Sequence, residues 1–150
     1  VRVYLPTTLP LLRAWAAARE IPPSTGYAVT PGLRAELTGA DDELEAAAML
    51  RAARASLRIL DGQPRRAVLA VDTEPAVRDD LDEGAVRTAA LPWQAVAAGM
   101  VDGPDAEAAV RAAAAVIDEA DLGDEDAELA VGDAEDHELL WYATQELADL

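Results

Sequence analysis

The sequence predicts an α+β domain, and three observations predict it. The opening residues VRVYLP set Val1, Val3 and Leu5 against Arg2 and Tyr4, the two-residue period of a half-buried strand. Apolar positions then recur at spacings of three and four, above all between Asp42 and Leu60 and again after Gly103, which is the period of amphipathic helices. Short apolar runs of strand length, RAVLAVD, AVRTAAL and ELLWYA, follow in between and afterwards. Under the rule of right-handed crossovers, this order is met most simply by a ferredoxin-like βαββαβ sandwich with extra helices inserted in the first crossover. A chain of 150 residues is the length of one domain, and no linker divides residues 1–150. In that topology the first strand is central and the last lies beside it. Tyr4 and Tyr142 are then neighbours on a sheet face that the helices leave open.

Each element has its own local reason. Thr7 or Thr8 caps a helix with Leu11, Leu12, Trp15 and Ala18 on its stripe, ending near Glu20 before Pro22 and Pro23. STGYAVT reads as a loop, and Thr30 followed by Pro31 starts a short helix to about Leu37, stopped at Gly39. In the long central helix the buried stripe is Ala46, Leu50, Ala53, Leu57 and Leu60. Asp42 and Glu45 stand in capping-box spacing, and Arg51, Arg54 and Arg58 fall toward the end where the helix dipole favours cations.

Arg66 to Asp72 reads as a strand with Ala67, Leu69 and Val71 inward, followed by the acidic loop TEPAVRDDLDEG. AVRTAAL is a further strand that Pro92 interrupts, and Val96 to Val101 resumes it, weakened by Gly99. After Gly103 and Pro104 a helix buries Ala106, Val110, Ala113, Ile117 and Ala120. The stretch from Asp121 to Asp136 reads as acid-rich loop with a helical turn around Ala127 to Val131. In ELLWYA, Leu139 and Trp141 are expected inward, Leu140 and Tyr142 outward.

Composition narrows the function classes. Twelve basic against 29 acidic residues give a net charge of −17, which argues against nucleic acid and anionic membrane surfaces as partners. All twelve basic residues are arginine, so no lysine can form a Schiff base or serve a P-loop. The absence of cysteine removes disulfides, thiol nucleophiles and thiolate metal sites. No signal-peptide pattern and no apolar run near ~20 residues is present, so the expected location is cytoplasmic and no membrane is expected.

The catalytic inventory is equally thin. His137 is the single histidine, which excludes a histidine-rich zinc site, and a triad needs it beside Ser24 or Ser56, neither in a nucleophile elbow. Asp121, Asp124, Glu125 and Asp126 in DLGDEDAE offer oxygen ligands but do not follow the EF-hand pattern, and nucleotide glycine fingerprints are missing. No catalytic residue, metal or cofactor is therefore predicted. What remains is the open sheet face, where Arg2, Tyr4, Arg66, Arg87 and Tyr142 are expected together, with His137 at a strand edge. Arginines and tyrosines on an acidic protein suit a small anionic ligand or a second copy of the chain, a homodimer through that face. Ordinary amphipathic residues under a covering loop are the plain alternative. The resulting expectation is a non-catalytic binding or self-associating module. The alternative is a small-ligand-binding protein or enzyme of the dimeric α+β barrel type, with its pocket on that face.

VRVYLPTTLPLL, ELEAAAMLRAARASLRIL, VDGPDAEAAVRAA and HELLWYATQEL together resemble a family of small actinobacterial proteins classed as a domain of unknown function. The likeness covers nearly the whole chain. It implies a single bacterial domain and carries no assigned activity or site residues.

Overall fold

In the computed structural model, which describes residues 1–77 and 84–150, β1 (Arg2–Thr7) alternates half-buried and buried positions as its sequence demands. Thr8 caps α1 (Leu9–Ala18) by accepting from the Leu11 amide at 3.2 Å. The chain continues through β2 (Glu20–Ile21), β3 (Ser24–Tyr27) and α2 (Pro31–Glu36), with Thr30 as cap and Pro31 as first helical residue. Next come α3 (Asp41–Leu57), β4 (Ala67–Asp72), β5 (Ala76–Val77), β6 (Ala85–Thr88), β7 (Leu91–Pro92) and β8 (Val96–Asp102). Three helices follow, α4 (Glu107–Ala115), α5 (Ile117–Asp121) and α6 (Glu125–Glu135), and then β9 (Leu139–Ala143) with a closing turn over Thr144–Asp149.

Among the described residues the large sheet has seven strands in the order β5, β6, β3, β1, β4, β8, β9, every neighbouring pair antiparallel. β2 and β7 form a separate pair. The α+β class holds, and β1 is central as expected. The strand order departs from the ferredoxin-like one, because β4 and β8 stand between β1 and β9 and leave the last strand at the margin. STGYAVT contains β3 rather than loop alone: Gly26, without a side chain, lets β3 pass so close to β1 that a Cβ there would meet Leu5 and Val3 at 2.7 Å. The expected loop over residues 73–84 contains β5, while its residues 78–83 lie outside the described residues.

One sheet face carries Val3, Leu5, Leu69, Val71 and Val86, sealed by Leu12 of α1, Ile21, Leu91, Trp93 and Leu147. On the other face α3 lies across Val68 with Ala52 and Ala53, and Tyr4, Tyr27, Met49 and Met100 pack around them. The face expected to be open is therefore covered over β1, β3 and β4. Small residues make this possible: Ala48, Ala52 and Ser56 are buried, and the Ser56 hydroxyl donates to the Thr7 carbonyl at 2.7 Å and accepts from the Ala67 amide at 3.1 Å. The buried stripe is Leu44, Ala48, Ala52, Ala53, Ser56 and Leu57, so Leu50 points outward. Ala40 is the N-cap and uses no side chain, so the Asp42–Glu45 capping box does not form.

The helices α4, α5 and α6 build a second, alanine-rich core on Leu57, from Val110, Ala113, Ile117, Ala120, Ala127, Val131 and Ala134. The acid-rich stretch is mostly helix, begun where Asp124 accepts from the Ala127 amide at 2.9 Å. Three of its carboxylates face arginines. Arg54 reaches Asp121, Glu128 and Glu135, and Arg58 bonds both oxygens of Asp121. No helix among the described residues is long and apolar enough to cross a membrane.

Candidate functional site

The run ELLWYA places β9 at the sheet margin, hydrogen-bonded to β8 alone in the sheet, with Trp141 opposite Met100 and Tyr142 opposite Gly99. Alternation puts Leu139, Trp141 and Ala143 on the α3 face and Leu140 and Tyr142 on the other. Leu139 is partly buried and Leu140 exposed, as expected, but Trp141 and Tyr142 take each other's expected places. Tyr142 packs into the core against Leu9, Ala67 and Val101, while Trp141 is 66% exposed and Leu140 48% exposed. Since both sets are apolar, the sequence pattern carries no sign for this strand; on the core side Leu147 is seated over Gly99, the residue opposite Tyr142.

Across the α3 face the register aligns Tyr4 of β1, Ala70 of β4, Ala98 of β8 and Ala143 of β9. Three alanines in a row beside Tyr4 leave a hollow. It is an open groove of about 320 Å³, floored by Tyr4, Ala70, Ala98, Met100 and Trp141. Asp42, Glu45, Ala46 and Met49 wall it, one flank of α3 at helical spacing, and Arg2 stands at one end. Arg2 pairs with Asp72 through Nε at 2.9 Å, and this hydrogen bond is the main reason the Asp72 carboxyl titrates below its usual range. Asp42 accepts only its neighbour's amide, and neither Asp42 nor Glu45 has an ion-pair partner among the described residues. Burial pushes the Tyr4 phenol up, the nearby Glu45 charge adds to this, and Arg2 acts against it.

The residues singled out in the sequence do not converge. Arg2 and Tyr4 meet in the groove. Arg87 shares their face but donates to Thr25 Oγ1 at 2.7 Å on the β6 side of the sheet. Arg66 is buried, 1% exposed, in a two-point ion pair with the fully buried Asp102, Nε to Oδ2 at 2.9 Å and Nη2 to Oδ1 at 2.8 Å. It also donates to the His137 carbonyl at 2.9 Å, so it fastens β4, β8 and the entry to β9. His137 sits in the turn before β9, its Nδ1 3.9 Å from the exposed Asp105. Tyr142 is on the opposite face from Tyr4. Asp42, Glu45, Met49, Met100, Leu140 and Trp141 were missed. A tryptophan in a terminal strand with apolar residues of both parities is the signal that could have flagged the last two.

Neither serine is placed for catalysis: Ser56 is occupied between Thr7 and Ala67, and Ser24 donates to the Pro22 carbonyl at 2.7 Å. Among the described residues no three His, Cys, Asp or Glu side chains gather to hold a metal. Fold and site together define an α+β protein with an apolar sheet margin beside a shallow acidic groove. The chain belongs to the family of unknown function DUF6912, whose model matches residues 1–150. No curated protein and no solved structure matches it.

Proposed function

We propose that the protein is a non-catalytic binding module that self-associates through β9, two copies pairing antiparallel so that their sheets continue across a two-fold axis. The observation that carries this reading is the β9 margin, apolar on both faces, with Trp141 and Leu140 both exposed. Monomeric proteins blunt such an edge with charge, proline, a bulge or a very short strand. The opposite edge, β5, has two residues among those described; β9 is LLWYA, five residues with none of these devices. A second copy offers the same backbone donors and acceptors in return, which is the self-complementarity a two-fold interface requires. The sheet face is less suited to a second copy, because α3 already lies over β1, β3 and β4.

Light scattering and sedimentation on the purified chain test the proposal. The wild type is expected to run as a dimer at high micromolar concentration. Leu140→Lys, a charge on an exposed edge position, is expected to give a monomer with unchanged circular dichroism. A strictly monomeric wild type at that concentration overturns the reading.

A further inference from the structure

We infer that the groove between α3 and the β8–β9 end of the sheet is a binding site for a small organic ammonium, one cationic head on an apolar body. This goes beyond self-association and does not require it: every lining residue belongs to one chain, and Leu140 is on the opposite face of β9. The groove's about 320 Å³ is at the lower end of small-molecule sites, and its depth comes from Ala70 and Ala98 lying between Tyr4 and Trp141.

The lining chooses the sign of the ligand. Arg2, the one cation at the rim, is held by Asp72, whereas Asp42 and Glu45 lack counter-ions among the described residues. Arg2 also feels the Glu45 charge, but one guanidinium already paired with Asp72 leaves the lining net negative, so an anion entering here would be repelled. A cation would meet the carboxylates together with the Trp141 indole, the Tyr4 ring and the thioethers of Met49 and Met100, residue types that favour alkylammonium heads. The chain's charge of −17 adds a long-range field of the same sign.

Benzyltrimethylammonium titrated into the labelled protein tests this by NMR, with benzyl alcohol and phenylacetate as neutral and anionic controls. Saturable shifts of the Trp141 indole and of the Met49 and Met100 methyls are expected. Both controls should bind about tenfold more weakly, and the Asp42→Asn, Glu45→Gln double variant should lose about tenfold in affinity. Trp141→Leu, which keeps an apolar strand residue, should weaken binding likewise. Leu140→Lys should bind as the wild type does, which separates the groove from the dimer. Shifts that do not saturate, benzyl alcohol binding equally well, phenylacetate binding more tightly, or full affinity in the folded double variant would each overturn the inference.

Discussion

Arg66 shows how far a side chain's role can lie from its position in a pattern. By alternation it belongs with Arg2 and Tyr4, yet its guanidinium is buried against Asp102, whose Oδ2 also accepts the Arg66 amide at 2.8 Å. Arg65 adds a bond to the Asp102 carbonyl at 2.8 Å. Removing one member leaves the other charged and dry, so Asp102→Ala is expected to cost about 3–5 kcal/mol in urea unfolding. Replacing both partners together, Arg66→Met with Asp102→Leu, should recover most of that loss, which separates an ion pair from mere packing. The pairing was invisible in the sequence because the two residues are far apart in the chain and brought together by the β4–β8 register. Caps, by contrast, were legible: Thr8 and Thr30 act over three residues, within reach of local reasoning.

Elements were legible wherever one stripe or parity was apolar and the other polar, and illegible where alanine blurred the contrast. β1 and the Thr30–Pro31 helix start follow their patterns; β4 and β8 stand where strands were expected, though β4 is buried on both faces, and α3 turned Leu50 outward because Ala48 and Ala52 fit closer to the strands. Gly99 illustrates the same point from the sheet side. It weakens β8 in isolation, but the Leu147 side chain occupies the place its Cβ would need, so Gly99→Ala is expected to destabilise by about 1–3 kcal/mol in thermal unfolding. The shorter Leu147→Val should relieve part of that penalty in the double variant. Charge ties α3 to α5 and α6. Burial alone would raise the Asp121 carboxyl, but hydrogen bonds and charge from Arg58 and Arg54 outweigh it, and the group titrates below its usual range. A depressed carboxylate stabilises the fold above its unfolded pKa and stops doing so as pH falls through the folded value. Melting temperature should therefore fall from about pH 4 downward, and less steeply in Asp121→Asn.

For the whole molecule, class and the centrality of the first strand could be read from the sequence, but the strand order could not. Local runs say which segments are strands; which neighbour each takes depends on long-range register and on where α3 settles. The missed strand β3, sitting between β1 and β6, is what pushed the sheet beyond four strands. Net charge acts at this scale too. Two copies at −17 repel one another although their β9 edges are uncharged, so raising the ionic strength should tighten self-association, read as a lower dissociation constant in sedimentation. The unequal lengths of the outermost strands also set how large an assembly can grow. With two residues in β5 against five in β9, pairing through β9 consumes the one long margin each copy has among the described residues. On the proposed pairing a third copy would find no comparable strand among the described residues, so growth is expected to stop at two instead of propagating into a fibre.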